Sequence, residues 1–189
     1  MKHTCIGLTG RMGSGKGEVV KILVPLGFKY ISLSDMVREE IAKLGRGVSR
    51  SETQDIGNRM RREGGAGVLG KRVREKINAS TIQKWVIDGI RNPAEVAQLR
   101  KLENFFLLGV DIDKDILLER IKNRNHSYDN ADDKELEKRL DREWGIGEPE
   151  DGQHVGKCMD ITDITIYNNT SLEDLKAGII EALQEIKVL

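Results

Sequence analysis

Gly10-Arg11-Met12-Gly13-Ser14-Gly15-Lys16-Gly17 stands between a short apolar run (Cys5, Ile6, Leu8) and a helix-like stretch from Glu18 to Leu23. A strand that feeds a glycine-rich turn opening into a helix gathers backbone N–H groups at a helix N-terminus. The positive end of the dipole then faces whatever anion sits there. Gly10, Gly13 and Gly15 let the backbone wrap a phosphate chain without Cβ clashes, and Lys16 brings a point charge to the outer phosphates. The string matches G-x-x-x-x-G-K and then departs, because Gly17 stands where a Ser or Thr hydroxyl ordinarily meets Mg²⁺. The setting predicts a nucleoside triphosphate site made by Gly10, Gly13, Ser14, Gly15, Lys16, Gly17 and Glu18. A solvated lysine on a glycine-rich turn is the plain alternative, and the flanking strand and helix weigh against it.

The rest of the composition suits a compact enzyme. A chain of 189 residues is long enough for one domain with its own core and short for two, so residues 1–189 read as a single domain. Lys and Arg total 31 against 31 Asp and Glu, so no whole-chain field draws the protein to nucleic acid or an anionic membrane. Local basic runs such as Arg59-Met60-Arg61-Arg62 read as solvated helix faces. No run has the length of a membrane span and the N-terminus lacks a signal-peptide shape, which predicts a cytoplasmic protein. Cys5 belongs to the first strand as a small buried thiol. His154 and Cys158 stand four apart, too few ligands for a structural zinc site, and His3 and His126 have no obvious partner. No protein-held transition metal is expected.

Outward from the loop, apolar β-branched runs fall at Thr4–Thr9, Phe28–Ser32, Lys84–Asp88, Phe105–Ile112 and Asp163–Tyr167, separated by helical patterns. That alternation predicts an α/β, three-layer P-loop fold with a central parallel five-stranded sheet. Asn92-Pro93 with Glu95 reads as N-cap, first-turn proline and third-position acid. Ser51 with Gln54 and Asp132 with Glu135 resemble capping boxes. The last helix begins near Ser171 and puts Leu172, Leu175, Ile179, Leu183 and Ile186 on one stripe, read as core. Gly45–Ser80 and Asn125–Glu150 are polar and glycine-interrupted, so both look like inserts and candidate mobile flaps.

Two further motifs lie at strand ends. Ser32-Leu33-Ser34-Asp35-Met36-Val37-Arg38 follows the second strand and Asp88-Gly89-Ile90-Arg91 closes the third. Each sets an acid three residues before an arginine, on the sheet edge where ligands of parallel α/β proteins collect. Asp88, with Asp35, is placed to hold waters of a Mg²⁺ shell, and Arg38 and Arg91 to fork a second phosphate or carboxylate. Ordinary surface ion pairs are the competing reading.

With these residues placed, the chain resembles the nucleoside monophosphate kinases, adenylate kinase in particular. Gly27 to Arg38 is similar to that family's acceptor-binding strand and helix, and Asp88-Gly89-Ile90-Arg91 to its D-G-F-P-R motif. Glu119-Arg120-Ile121-Lys122-Asn123-Arg124 resembles the helix leading into its lid, and Lys138-Arg139-Leu140 the helix leaving it. The opening I-G-L-T-G-x-x-G-S-G-K and the ending Asp163 to Asn169 also resemble dephospho-coenzyme A kinases. The resemblance implies ATP and Mg²⁺, an acceptor-binding insert at about 33–80 and a lid at about 125–150.

It also implies roles. Lys16 stabilises the transferring phosphoryl group, Arg120 stacks on the donor adenine, and Arg124 reaches its phosphates. Arg139 and Arg142 neutralise equatorial oxygens in the transition state, and Ser32, Asp35, Arg38, Arg91 and Glu95 bind the acceptor. Two departures bear on the acceptor: Arg91 follows Asp88 by three residues where adenylate kinases have four, and Glu95 stands near the place of their base-reading glutamine. Glu95 is equally well placed as a helix cap. The expected activity is phosphoryl transfer from ATP to a small nucleotide-like acceptor, in first place a (deoxy)nucleoside monophosphate. A dephospho-coenzyme A kinase with Asp35 as base and a slowly hydrolysing nucleotide switch are the alternatives.

Overall fold

The computed structural model describes residues 3–45, 47, 50–123 and 133–188. Five strands form one sheet: β1 (Thr4–Thr9), β2 (Lys29–Ser32), β3 (Lys84–Asp88), β4 (Asn104–Asp111) and β5 (Ile164–Tyr167). Their order is β2-β3-β1-β4-β5 and every pairing is parallel. The expected five-stranded parallel sheet is therefore present, with β2, β4 and β5 displaced by a single residue at one or both ends. Helices cover both faces, as parallel strands joined by crossovers require.

The period-two alternation of the strands sorts their side chains between two cores. Cys5, Trp85, Ile87, Phe105 and Leu107 face one side, packed with α2 (Leu33–Ala42), α3 (Arg50–Gly64), α4 (Val68–Asn78), α5 (Pro93–Leu99) and α8 (Val155–Met159). Ile6, Leu8, Val86, Leu108 and Val110 face the other, packed with α1 (Lys16–Leu23) and α9 (Leu172–Glu185). A third cluster, built from Ile112, Leu117, Ile121, Leu136 and Leu140, joins α6 (Lys114–Asn123) to α7 (Asp133–Trp144), and Met12 of the glycine-rich loop packs on it.

Helix starts follow the sequence cues where a real cap exists. Asn92 accepts from the Ala94 amide and Glu95 closes the capping box behind Pro93, while Ser171 and Asp174 do the same for α9. Helix α3 begins at Arg50, one residue before Ser51. Asp132 and His126 lie outside the described residues. The α9 stripe buries Leu175, Ile179 and Leu183, whereas Leu172 at its first turn is exposed.

Gly45–Ser80 is less flap-like than its composition suggests. Ile56, Met60, Leu69, Val73 and Ile77 are buried in the same core as the sheet. At roughly 1.5–3 kcal/mol per buried aliphatic side chain, α3 and α4 are anchored. Among the described residues no helix is long and apolar enough to cross a membrane.

Candidate active site

The loop between β1 and α1 turns on three glycines of positive φ: Gly10 (138°), Gly13 (90°) and Gly15 (108°). Two of them are also sterically obligatory. A Cβ on Gly10 would stand 2.2 Å from the Val110 carbonyl oxygen, and one on Gly15 would stand 2.2 Å from Asn168 Nδ2. Asn168, just after β5, donates from that nitrogen to the Ser14 carbonyl (2.8 Å) and braces the loop from across the sheet. The Ser14 hydroxyl is buried with no hydrogen-bond partner among the described residues. Lys16 Nζ lies over the loop, donating to the carbonyl oxygens of Gly10 (2.6 Å) and Arg11 (2.8 Å). A tight cradle at a helix N-terminus, an ammonium folded onto it and an orphaned hydroxyl inside it together fit a polyphosphate.

Gly17 is different in kind. Nothing lies within 4 Å of a Cβ built there, so sterics do not demand the glycine. Asp88, at the end of β3, accepts from the Gly89 amide through Oδ1 (2.7 Å). Asp35 is more committed: Oδ2 accepts from the Ser32 amide in the capping box of α2, and Oδ1 pairs with Arg38 Nη1 at 2.6 Å. Arg38 and Asp35 thus form the surface ion pair weighed as the competing reading, and Ser32 serves as the N-cap. Among the described residues no group of three or more His, Cys, Asp or Glu is placed to hold a metal.

On the β5 side of the loop, Gly15, Glu18, Arg120, Asn168, Thr170, Leu172 and Leu175 line an open groove of about 380 Å³. Arg120 reaches across it to the Thr170 carbonyl (3.4 Å), and Glu18 pairs with Lys21 (2.8 Å). On the opposite side, beyond β3, a smaller pocket of about 50 Å³ lies between α2, α3 and the end of β3. Its polar lining comes from Ser34, Thr53, Gln54, Arg61, Arg91 and Gln153. The sheet order places β1 and its loop between the two.

Arg91 turns away from Asp88. Its Nη1 donates to Gln153 Oε1 (3.1 Å) and its Nη2 stands 3.6 Å from Glu143 Oε1. Glu95 is fully buried. One oxygen accepts from the Arg91 and Asn92 amides, and the other pairs with Arg61 at 2.8 Å. It therefore presents no surface to a base, and the capping reading is the one the geometry carries.

Arg139 pairs with Glu135 along α7, while Arg142 pairs with Glu148 (2.9 Å) and Asp55 (3.4 Å). Both α7 arginines meet carboxylates. Arg124 lies outside the described residues. Sequence reasoning missed five contributors: Asn168, Arg61, Gln153, and Glu143 and Trp144 at the end of α7. Glu143 is buried and accepts from the Met12 amide (2.6 Å), and the Arg11 guanidinium sits 4.0 Å above the Trp144 ring. No local spacing signals these contacts.

A β2-β3-β1-β4-β5 parallel sheet whose central strand delivers a glycine-rich lysine loop defines a P-loop protein with a nucleotide-binding fold. The chain belongs to the AAA domain family, which matches residues 9–138, and to the UPF0200 family. A UPF0200 protein of Methanoculleus marisnigri is 30% identical over 175 residues, covering 92% of each chain. The crystal structure of TT1252 from Thermus thermophilus superposes with a TM-score of 0.62 at 19% identity, covering 98% of both chains. The shikimate kinase of Aquifex aeolicus gives 0.59 at 15% identity, covering 98% of this chain and 99% of its own. These two structures share the fold.

Proposed function

We propose that this chain is a cytoplasmic ATP-dependent phosphotransferase whose acceptor is a small nucleotide-like molecule, a (deoxy)nucleoside monophosphate in first place. The observation that carries the reading is the pair of cavities flanking one phosphate loop, with Arg120 in the groove on the β5 side and Arg61 and Arg91 in the pocket beyond β3. A nucleotide switch needs only the first cavity. A transferase needs both, with the γ-phosphoryl between them.

In this reading the loop amides hold the donor's phosphates and Lys16 exchanges its carbonyl contacts for phosphate oxygens. Gly10, Gly13, Ser14, Gly15 and Gly17 shape the cradle. Glu18 and Arg120 border the donor nucleoside, with Arg120 presenting its guanidinium plane to the base. Asp88 would hold magnesium through water, and the ion would supply neutralising charge to the phosphates. Arg91 meets the acceptor's anionic group, with Ser34 and Gln153 beside it. Helices α2 to α4 form the acceptor side, and α6 and α7 flank the segment read as a lid. For Arg142 to reach a phosphate it must leave Glu148 and Asp55, which ties its role to closure.

A phosphate acceptor is already a nucleophile and needs no base. A ribose hydroxyl needs one, and the commitments of Asp35 to Ser32 and Arg38 weigh against a dephospho-coenzyme A kinase. The test offers AMP, CMP, dCMP, GMP, UMP, dephospho-coenzyme A and shikimate with Mg·ATP, and separates phosphorylated product from free phosphate. A phosphorylated monophosphate is the expected product. Release of inorganic phosphate alone, equal with and without acceptors, would establish the switch instead.

A further inference from the structure

Glu143 is a buried acid in contact with the phosphate loop. Its Oε2 accepts from the Met12 amide at 2.6 Å and its Oε1 stands 3.6 Å from Arg91 Nη2. The residue is 4% exposed, so solvent screens its charge little. A carboxylate beside a site built for phosphates opposes the ligand unless a cation neutralises it. The contact to Arg91 supplies that cation, and Gln153 holds the guanidinium from its other side (3.1 Å). Trp144, the next residue, lies under the Arg11 guanidinium and fixes the same end of α7 to the loop.

We propose that Glu143 and Arg91 form a charge-compensated bridge between the phosphate loop and the acceptor pocket. Glu143 is a positioning residue that keeps Arg91 turned to the loop, and Arg91 cancels the carboxylate that would otherwise repel ATP. The inference rests on the reading of Arg91 as an acceptor-side group, but its main test needs no acceptor.

ATP binding is titrated calorimetrically on four proteins: wild type, Arg91→Gln, Glu143→Gln and the double variant. Glutamine at 143 can still accept from the Met12 amide while losing the charge. Arg91→Gln leaves a buried unpaired carboxylate and should weaken ATP binding by about tenfold or more. Adding Glu143→Gln should bring the affinity back to within about threefold of wild type, because the pair is again neutral. A purely structural Glu143 would leave the double variant as weak as Arg91→Gln or weaker, and that result overturns the bridge. Should Arg91→Gln fail to fold, Glu143→Gln alone decides: unchanged or tighter ATP binding supports the proposal and weaker binding overturns it. For any acceptor that is turned over, Glu143→Gln should raise the acceptor KM more than the ATP KM, and an unchanged acceptor KM removes the positioning role. If no acceptor is phosphorylated, the transferase reading fails while the ATP titrations still test the bridge.

Discussion

Lys16 places its ammonium on two carbonyl oxygens of its own loop, Gly10 and Arg11, contacts that a phosphate can replace with gain of charge. Lys16→Ala should therefore keep the melting temperature and lower phosphoryl turnover by about a hundredfold or more, as for loss of one transition-state donor. Near-normal turnover in the folded variant would remove this lysine from the chemistry. Gly17 makes the opposite experiment possible. Open space around its missing Cβ means that Gly17→Thr fits. The added hydroxyl should lower the magnesium concentration needed for half-maximal activity, while Asp88→Asn should raise it. A metal titration that neither substitution moves places the metal away from both. The loop's own residues were legible because the strand, the glycines, the lysine and the helix are neighbours in the chain. Asn168 and Glu143 were not, because their contacts with the loop span 154 and 131 residues and exist only after β5 and α7 have packed.

Helix α5 shows how one residue can satisfy two elements. Glu95 caps its own helix through the Arg91 and Asn92 amides and holds Arg61 of α3 in a pair with almost no exposure on either side. Glu95→Gln removes the charge from a buried pair, a change of about 3–5 kcal/mol when one partner is left unmatched. At about 2–4 °C per kcal/mol for a chain of this size, a fall of roughly 10 °C in melting temperature is expected. The order of preferred acceptors should stay the same. A changed order with unchanged stability would return Glu95 to base recognition. The same pair explains why α3 was harder to read than the strands. Strands β1 and β3 coincide with their apolar runs because alternation marks a buried sheet directly. In α3 the buried face includes Arg61 and Asn58 beside Ile56 and Met60, so a polar composition conceals a packed helix. Polarity there reflects an internal charge pair and a pocket lining, not solvent.

Across the whole molecule, the sheet's α2–α5 face is sealed by two thiols as well as by aliphatic side chains. Cys5 on β1 and Cys158 on α8 are both fully buried in that core. Burial pushes each thiol up to about 12 from 9.0, and for Cys158 the nearby Glu95 carboxylate adds to the rise while the Thr9 side chain opposes it. The sign follows from linkage. A group whose folded pKa lies above its unfolded value contributes stability that is complete below the unfolded pKa and is lost as pH rises toward the folded one. Between pH 9 and 12 the unfolded chain ionises both thiols while the fold keeps them neutral, a loss of about 1.4 kcal/mol per pH unit for each. Urea unfolding from pH 7 to 10.5 should therefore show wild-type stability falling more steeply above pH 9 than that of a Cys5→Ala, Cys158→Ala variant. Other titrating groups are common to both proteins and cancel in the difference, and the small cavities left by alanine shift the variant equally at all pH values. Two curves that stay parallel through pH 10.5 would mean that the thiols ionise as easily in the folded protein as in the unfolded chain, and that this face of the sheet admits water.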